Sequence, residues 1–190
     1  MTKNSLSVAI ATLNESANIG RCLESVTGWV DEIIIYDENS TDDTAKIAKS
    51  FPGVKVFQVD HQPIFHLTKQ KAIDRCSSDW ILQLDADEVV TPELKKDILN
   101  TINSQPSDNG FWINRSNFFL GKFLKKGGVY PDSTIRLYRR GKGLLPCLDV
   151  HEQAVVTGSV GHLSSDLLHY SDPTFSRYLL RNDRYTSLLA

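Results

Sequence analysis

The sequence predicts an α/β fold built on a parallel sheet, and three observations carry that prediction. Four short apolar runs in the first hundred residues alternate with amphipathic helical patterns. That order needs crossover connections, which make neighbouring strands parallel. Three of the runs end in polar segments at residues 12–16, 37–43 and 85–88. Ligands of such sheets bind beyond the carboxyl ends of the strands, so the three segments mark one functional edge.

Residues 7–11 form the first apolar run and read as a buried strand. Ile19, Cys22, Leu23 and Val26 then recur at helical spacing, with Asn14 or Ser16 as the expected cap. Residues 32–36, Glu-Ile-Ile-Ile-Tyr, form the second strand. Ser40-x-x-Asp43 has the form of a capping box, and Thr44, Ile47, Ala48 and Phe51 give the next helical face. Residues 54–59 alternate as a third strand, and 68–76 read as a helix with Ala72, Ile73 and Cys76 inward. Residues 80–84 form a fourth strand that runs into acids. Thr91 caps the following helix, Pro92 takes its first position, and Leu94, Ile98 and Ile102 are its buried stripe.

The pattern changes after Ser104. Residues 105–110 are a turn-rich connection, and 111–117, 134–139, 152–156 and 167–170 read as shorter strands of a second half layered on the same domain. Residues 181–190 are helical in pattern with no stop signal, so the chain reads as trimmed inside a helix.

Bulk properties exclude several classes. A formal net charge of −2 argues against a nucleic-acid binder. The three cysteines are scattered, which fits neither a disulfide framework nor a thiolate zinc site and suits a reducing, cytoplasmic setting. No apolar run approaches the length of a membrane span. Residues 115–142 are strongly basic, with Asp132 the lone acid. This segment either meets an anionic partner or is a solvated surface.

Asp85-Ala86-Asp87-Glu88 follows the fourth strand directly. In extended backbone Asp85 and Asp87 point the same way and can converge. Two convergent carboxylates repel unless a cation lies between them. Mg²⁺ or Mn²⁺ would satisfy them and could neutralise a diphosphate. The plain alternative is an acidic turn at a helix start. Asp37, at the second strand tip, can accept from a base or ribose, and Thr12, Asn14 and Glu15 offer further contacts to a nucleotide. For Ser40 and Asp43, turn and cap chemistry is the preferred reading.

Residues 11–15 (Ala-Thr-Leu-Asn-Glu), 36–44 (Tyr-Asp-Glu-Asn-Ser-Thr-Asp-Asp-Thr) and 80–88 (Trp-Ile-Leu-Gln-Leu-Asp-Ala-Asp-Glu) together resemble family 2 glycosyltransferases of GT-A fold, a Rossmann-like mixed sheet flanked by helices. Tyr130-Pro131-Asp132, residues 136–140 and Val150-His151-Glu152 are similar to a branch of bacterial lipopolysaccharide core glucosyltransferases.

The resemblance implies one GT-A domain over residues 1–190, with a donor half at 1–104 and an acceptor half at 105–190. It implies inverting transfer of a hexose, glucose by the branch, from a UDP-sugar to a cell-surface glycan or glycolipid such as lipopolysaccharide core. Asp85-Ala86-Asp87 would hold metal and diphosphate. Glu152 takes the base position, with Asp132 as second candidate or a salt-bridge partner of Arg136 or Arg139. His169, ahead of His162, would complete the metal shell. Lys71 is the expected cation beside the diphosphate, or else an exposed helix lysine. The chain departs from the family at Glu38-Asn39-Ser40, where a Ser-Gly-Ser-like stretch is usual, and at 67–71, where an Asn-Arg helix start is replaced.

Residues 118–126 mix aromatics with lysines. They suit an inner-membrane surface or a phosphorylated glycolipid, or form a core edge with a lysine fringe. A nucleotidyltransferase would want a Gly-rich, basic loop after the first strand, and 12–16 has none. A non-catalytic nucleotide-sugar module would keep Asp37 and Asp85 but need no base.

Overall fold

A computed structural model describes residues 4–126, 128–148, 153–172, 175, 176 and 179. Glu152 and the helical pattern at 181–190 lie outside the described residues. Strands β1 (Leu6–Thr12), β2 (Glu32–Asp37), β3 (Val54–Gln58) and β4 (Trp80–Asp85) alternate with helices α1 (Ile19–Val26), α2 (Thr44–Lys49) and α3 (Phe65–Arg75). The short strand β5 (Glu88–Val90) precedes α4 (Pro92–Asn103). The second half adds β6 (Gly110–Phe119), β7 (Lys122–Phe123), β8 (Asp132–Arg139), β9 (Gly143–Leu144), β10 (Val155–Val156) and the long β11 (Val160–Asp172).

The first four strands are mutually parallel, in the order β3-β2-β1-β4. The sheet then continues through β8, β6, β11 and β5, with β8 antiparallel to both β4 and β6. The second half therefore extends the first sheet, which is mixed as a whole. Side chains of the parallel strands alternate between two covered faces. Val8, Ile10, Leu82 and Leu84 pack with α1 and α4, while Ala9, Ile34 and Ile81 pack with Ala72 and Ile73 of α3. Burial on both faces is why these strands read as continuous apolar runs. The β9–β10 ribbon lies over Tyr138, and a Cβ on Gly143 would sit 2.5 Å from that ring.

One feature of the topology places the site. Strands β4 and β5 occupy the fourth and eighth positions in the sheet order, yet only Ala86 and Asp87 separate them. Four strand spacings across a flat sheet would be about 19 Å. The three residue steps from Asp85 to Glu88 reach at most about 11 Å. The sheet therefore curls until β5 comes back beside the tip of β4. The acidic segment is the seam of that curl, tied to β11 by the Tyr170 amide, which donates to the Asp87 carbonyl at 2.9 Å.

Several local expectations are corrected. The N-cap of α1 is Asn18, not Asn14 or Ser16, and it makes no side-chain cap bond. The capping box does not form: Asp43 caps α2 without a side-chain bond, because the Ser40 hydroxyl is drawn to Asp37. Helix α3 begins three residues before the expected Thr68, and β5 replaces an expected turn. The strand expected at 152–156 is, among the described residues, only Val155–Val156, and it pairs with β9 rather than with the main sheet. Thr91 caps α4 as expected, accepting from the Leu94 amide at 3.0 Å.

Candidate active site at the carboxyl edge of the sheet

Four elements bring charged groups to the seam. Arg136 of β8 reaches Asp85 at 2.5 Å and Glu88 at 2.7 Å from the same terminal nitrogen, and its other terminal nitrogen donates to Gln83. Lys69 of α3 contacts Asp85 at 2.5 Å. Arg115 of β6 lies 3.7 Å from Glu88 and 2.8 Å from Asp132. The Glu88 side chain is fully buried and also accepts from the Asp85 amide at 2.8 Å. An unpaired charge there would be prohibitive, so the two arginines are a condition of the fold. Burial alone would raise the Asp85 pKa. Arg136 and Lys69 outweigh it and hold the carboxyl well below the usual range.

Asp87 faces His169 of β11, with Oδ2 and Nε2 3.4 Å apart. The other imidazole nitrogen, Nδ1, pairs with Asn117 at 2.7 Å, and Asn117 in turn donates to Asp132 at 3.0 Å. Burial alone would lower the His169 pKa, but the Asp87 carboxylate raises it overall. Adjacent ligands bound to one ion at about 2.1 Å stand roughly 3 Å apart, so this pair fits the coordination sphere of a hard divalent cation. Asn117, paired with the far ring nitrogen, would fix the imidazole orientation such an ion needs. Asp85 does not join them: its charge is met by Lys69 and Arg136. Among the described residues, no three His, Cys, Asp or Glu side chains gather around one point.

The residues expected on the nucleotide side also come together. The Thr12 hydroxyl donates to Asp37 at 2.8 Å, and Ser40 donates to it through its amide at 2.9 Å and its hydroxyl at 2.6 Å. Asn14 adopts φ 55°, and its side chain accepts from the Thr41 amide at 2.8 Å, locking the first loop to the second. Glu15 donates its amide to Thr44 and accepts from Asn18. Ala86 is buried between the two aspartates.

Two expected roles change partners. Lys69, not Lys71, is the α3 cation at the acidic seam; two residues along a helix turn about 200°, so the two lysines leave opposite sides. Asp132 pairs with Arg115, not with Arg136 or Arg139; the β6–β8 register skips Arg136, whose side chain meets Asp85 and Glu88 instead. The basic segment divides: Arg115 and Arg136 meet the acids and Arg139 lies over Trp80, while Lys122, Lys125, Lys126, Arg140 and Lys142 are exposed. Sequence reasoning missed Lys69, Arg115, Arg136 and Asn117. For the two arginines the signal was the density of basic residues between 115 and 142; Lys69 and Asn117 had none.

The profile described as Glycosyl transferase family 2 matches residues 7–148. The chain belongs to that family. Within it, a similar relative is the lipopolysaccharide core biosynthesis glycosyltransferase LpsC of Rhizobium meliloti, 31% identical over 97% of this chain and 70% of that protein. An uncharacterized glycosyltransferase of Rickettsia typhi is 41% identical over 71% of this chain but 46% of its own length. The structure of S. aureus TarS in complex with UDP superposes with a TM-score of 0.68 at 16% identity, covering 92% of this chain and 62% of that one. Glucosyl-3-phosphoglycerate synthase of Mycobacterium tuberculosis, solved with Mn²⁺ and UDP-glucose, gives 0.50 at 22% identity, over 60% of this chain and 44% of that one. These likenesses establish the GT-A fold. The chain spans from 22% to 70% of the length of these and other curated relatives it matches. No helix among the described residues is long and apolar enough to cross a membrane.

Proposed function

We propose that this family 2 glycosyltransferase is a metal-dependent, inverting enzyme that moves a hexose, glucose first, from a UDP-sugar to a bacterial cell-surface glycolipid such as lipopolysaccharide core. The observation that carries the reading is the pairing of Asp87 with His169 beside a row of nucleotide-facing strand tips. The name of LpsC supports the acceptor class. The UDP complex of TarS, and the Mn²⁺ and UDP-glucose complex of the mycobacterial synthase, support the donor and the metal.

Asp87 and His169 would hold Mn²⁺ or Mg²⁺, which supplies positive charge against the leaving diphosphate. Lys69, beside the same edge, adds a fixed cation, kept in place by Asp85, which Arg136 holds from its other oxygen. Thr12, Asn14, Glu15 and Asp37 shape the nucleoside pocket, and Ala86 leaves room for backbone approach. The acceptor hydroxyl attacks the anomeric carbon, its bond forms as the bond to UDP breaks, and a carboxylate takes the proton. Glu152 is assigned that role. Asp132, the second candidate, supports Glu152 by being already committed to Arg115 and Asn117. The aromatic and lysine-bearing turn at 118–126 would face a cytoplasmic membrane surface, with Leu120 and the neighbouring lysines exposed.

The test is UDP release from a panel of UDP-, GDP- and dTDP-sugars, with lipopolysaccharide core acceptor and Mn²⁺ or Mg²⁺. The reading expects UDP-hexose turnover that EDTA abolishes and that Glu152→Gln lowers by about a hundredfold or more. Equal turnover with EDTA overturns the metal; full activity in Glu152→Gln overturns the base.

A further inference from the structure

We infer that His61, held by the buried carboxylate of Glu38, is a specificity-determining residue that hydrogen-bonds the donor's nucleobase. The inference rests on the UDP-sugar reading above and extends it to a residue outside the acidic seam.

Glu38 follows β2 and its side chain is fully buried. It has two side-chain partners: the Thr68 hydroxyl at 2.5 Å and the Nδ1 of His61 at 2.6 Å. A carboxylate buried at a strand tip costs stability unless its partners offset it. Here one partner is an imidazole whose side chain is 65% exposed, so the contact buries little apolar surface. What it does is aim the ring. With Nδ1 turned to Glu38, Nε2 faces away from it as a free hydrogen-bonding edge. The rim is braced further: Asn39, at φ 51°, donates to Asp60 at 3.2 Å, and the Val59 amide donates to the Asp37 carbonyl at 2.9 Å.

The position suits a base. The diphosphate end belongs near β4, and the order β3-β2-β1-β4 sends the remainder of an extended nucleotide across β1 toward the tips of β2 and β3. Asp37 is already engaged there, its two oxygens accepting three hydrogen bonds from Thr12 and Ser40. His61 is an exposed polar group at that end whose ring is held by a buried carboxylate.

The test is calorimetric titration of the whole chain with UDP and CDP in Mn²⁺, bases that differ along one hydrogen-bonding edge. His61→Ala is expected to cut the UDP-over-CDP preference about tenfold, the scale of one hydrogen bond. Inhibition by inorganic pyrophosphate should stay unchanged. Glu38→Gln should lose part of the preference, and His61→Gln, which keeps a hydrogen-bonding group, should regain part of it. Equal losses for UDP and CDP in His61→Ala would overturn the inference and leave His61 a loop brace. A wild-type chain with no affinity for UDP would overturn the donor reading itself.

Discussion

The parallel half of the sheet, β1 to β4, delivers acids and hydroxyls to its edge, whereas the mixed half, β6, β8 and β11, delivers the bases that answer them. Asp85 and Glu88 lie more than twenty-five residues from Arg115 and almost fifty from Arg136, yet the curl of the sheet makes them neighbours. Neither half is electrostatically acceptable alone. The first would bury Glu88 without a cation, and the second would bury Arg136 without an anion. The lesson is that the acidic seam, which resembles a bare metal site in sequence, is half ion-pair scaffold. Asp87 and His169 alone are left facing each other as a possible ligand pair.

The sharpest way to break that comparison is to remove the cation that joins the halves. Arg136→Ala leaves Glu88 buried with only the longer Arg115 contact, and should cost about 3–5 kcal/mol in urea unfolding. A loss below about 1 kcal/mol would mean that the seam is far better solvated than its burial indicates. Next in size are two core truncations, one from each half. Leu82→Ala and Leu167→Ala both open cavities in the same cluster and should each cost about 2–5 kcal/mol. Because the cluster is shared, both should shift one common transition. Two separable transitions would show that the halves fold apart.

The smallest effect lies in the loops after β1 and β2. Slight burial raises the Asp42 pKa, but hydrogen bonds from Thr44 and Ser16 outweigh it and bring the group to about 2. A folded-state pKa below the unfolded value near 4 contributes stability that is complete above the unfolded value and fades as pH falls through the folded one. Wild type should therefore be more stable than Asp42→Ala near neutral pH, with the gap closing between about pH 4 and pH 2. A gap that persists below that window would show that the carboxylate charge is not its source.

The legible parts of the fold share a physical cause. Strands β1, β2 and β4, and helices α1 and α4, carry their hydrophobic period in consecutive residues, so periodicity finds them. Thr91 and Pro92 mark the start of α4 by local chemistry alone. The polar loops after β1, β2 and β4 were legible because strand tips have a fixed address in an α/β sheet. What stayed hidden depends on closure. β5 is three residues long and exists only because β11 returns beside it, with His169 opposite Glu88. Lys69 lies on a helix whose register no sequence period fixes well, since the buried residues of α3 include His66 and Thr68 beside Ala72 and Ile73. Arg136 reads as a surface residue until β8 inserts between β4 and β6. The same blindness explains the capping error at Ser40: a competing carboxylate at the tip of β2 cannot be weighed before Asp37 and Ser40 are known to touch.

The central claim is that Asp87 and His169 form the ligand pair, while Asp85 belongs to the scaffold. It is tested most directly by calorimetric titration of UDP, with Mn²⁺ and with EDTA, into wild type and Asp87→Asn. The account predicts that Mn²⁺ tightens UDP binding to wild type by about tenfold or more, and that Asp87→Asn removes this gain while keeping the wild-type melting temperature without metal to within a few degrees. A Mn²⁺ gain that survives in Asp87→Asn would contradict it.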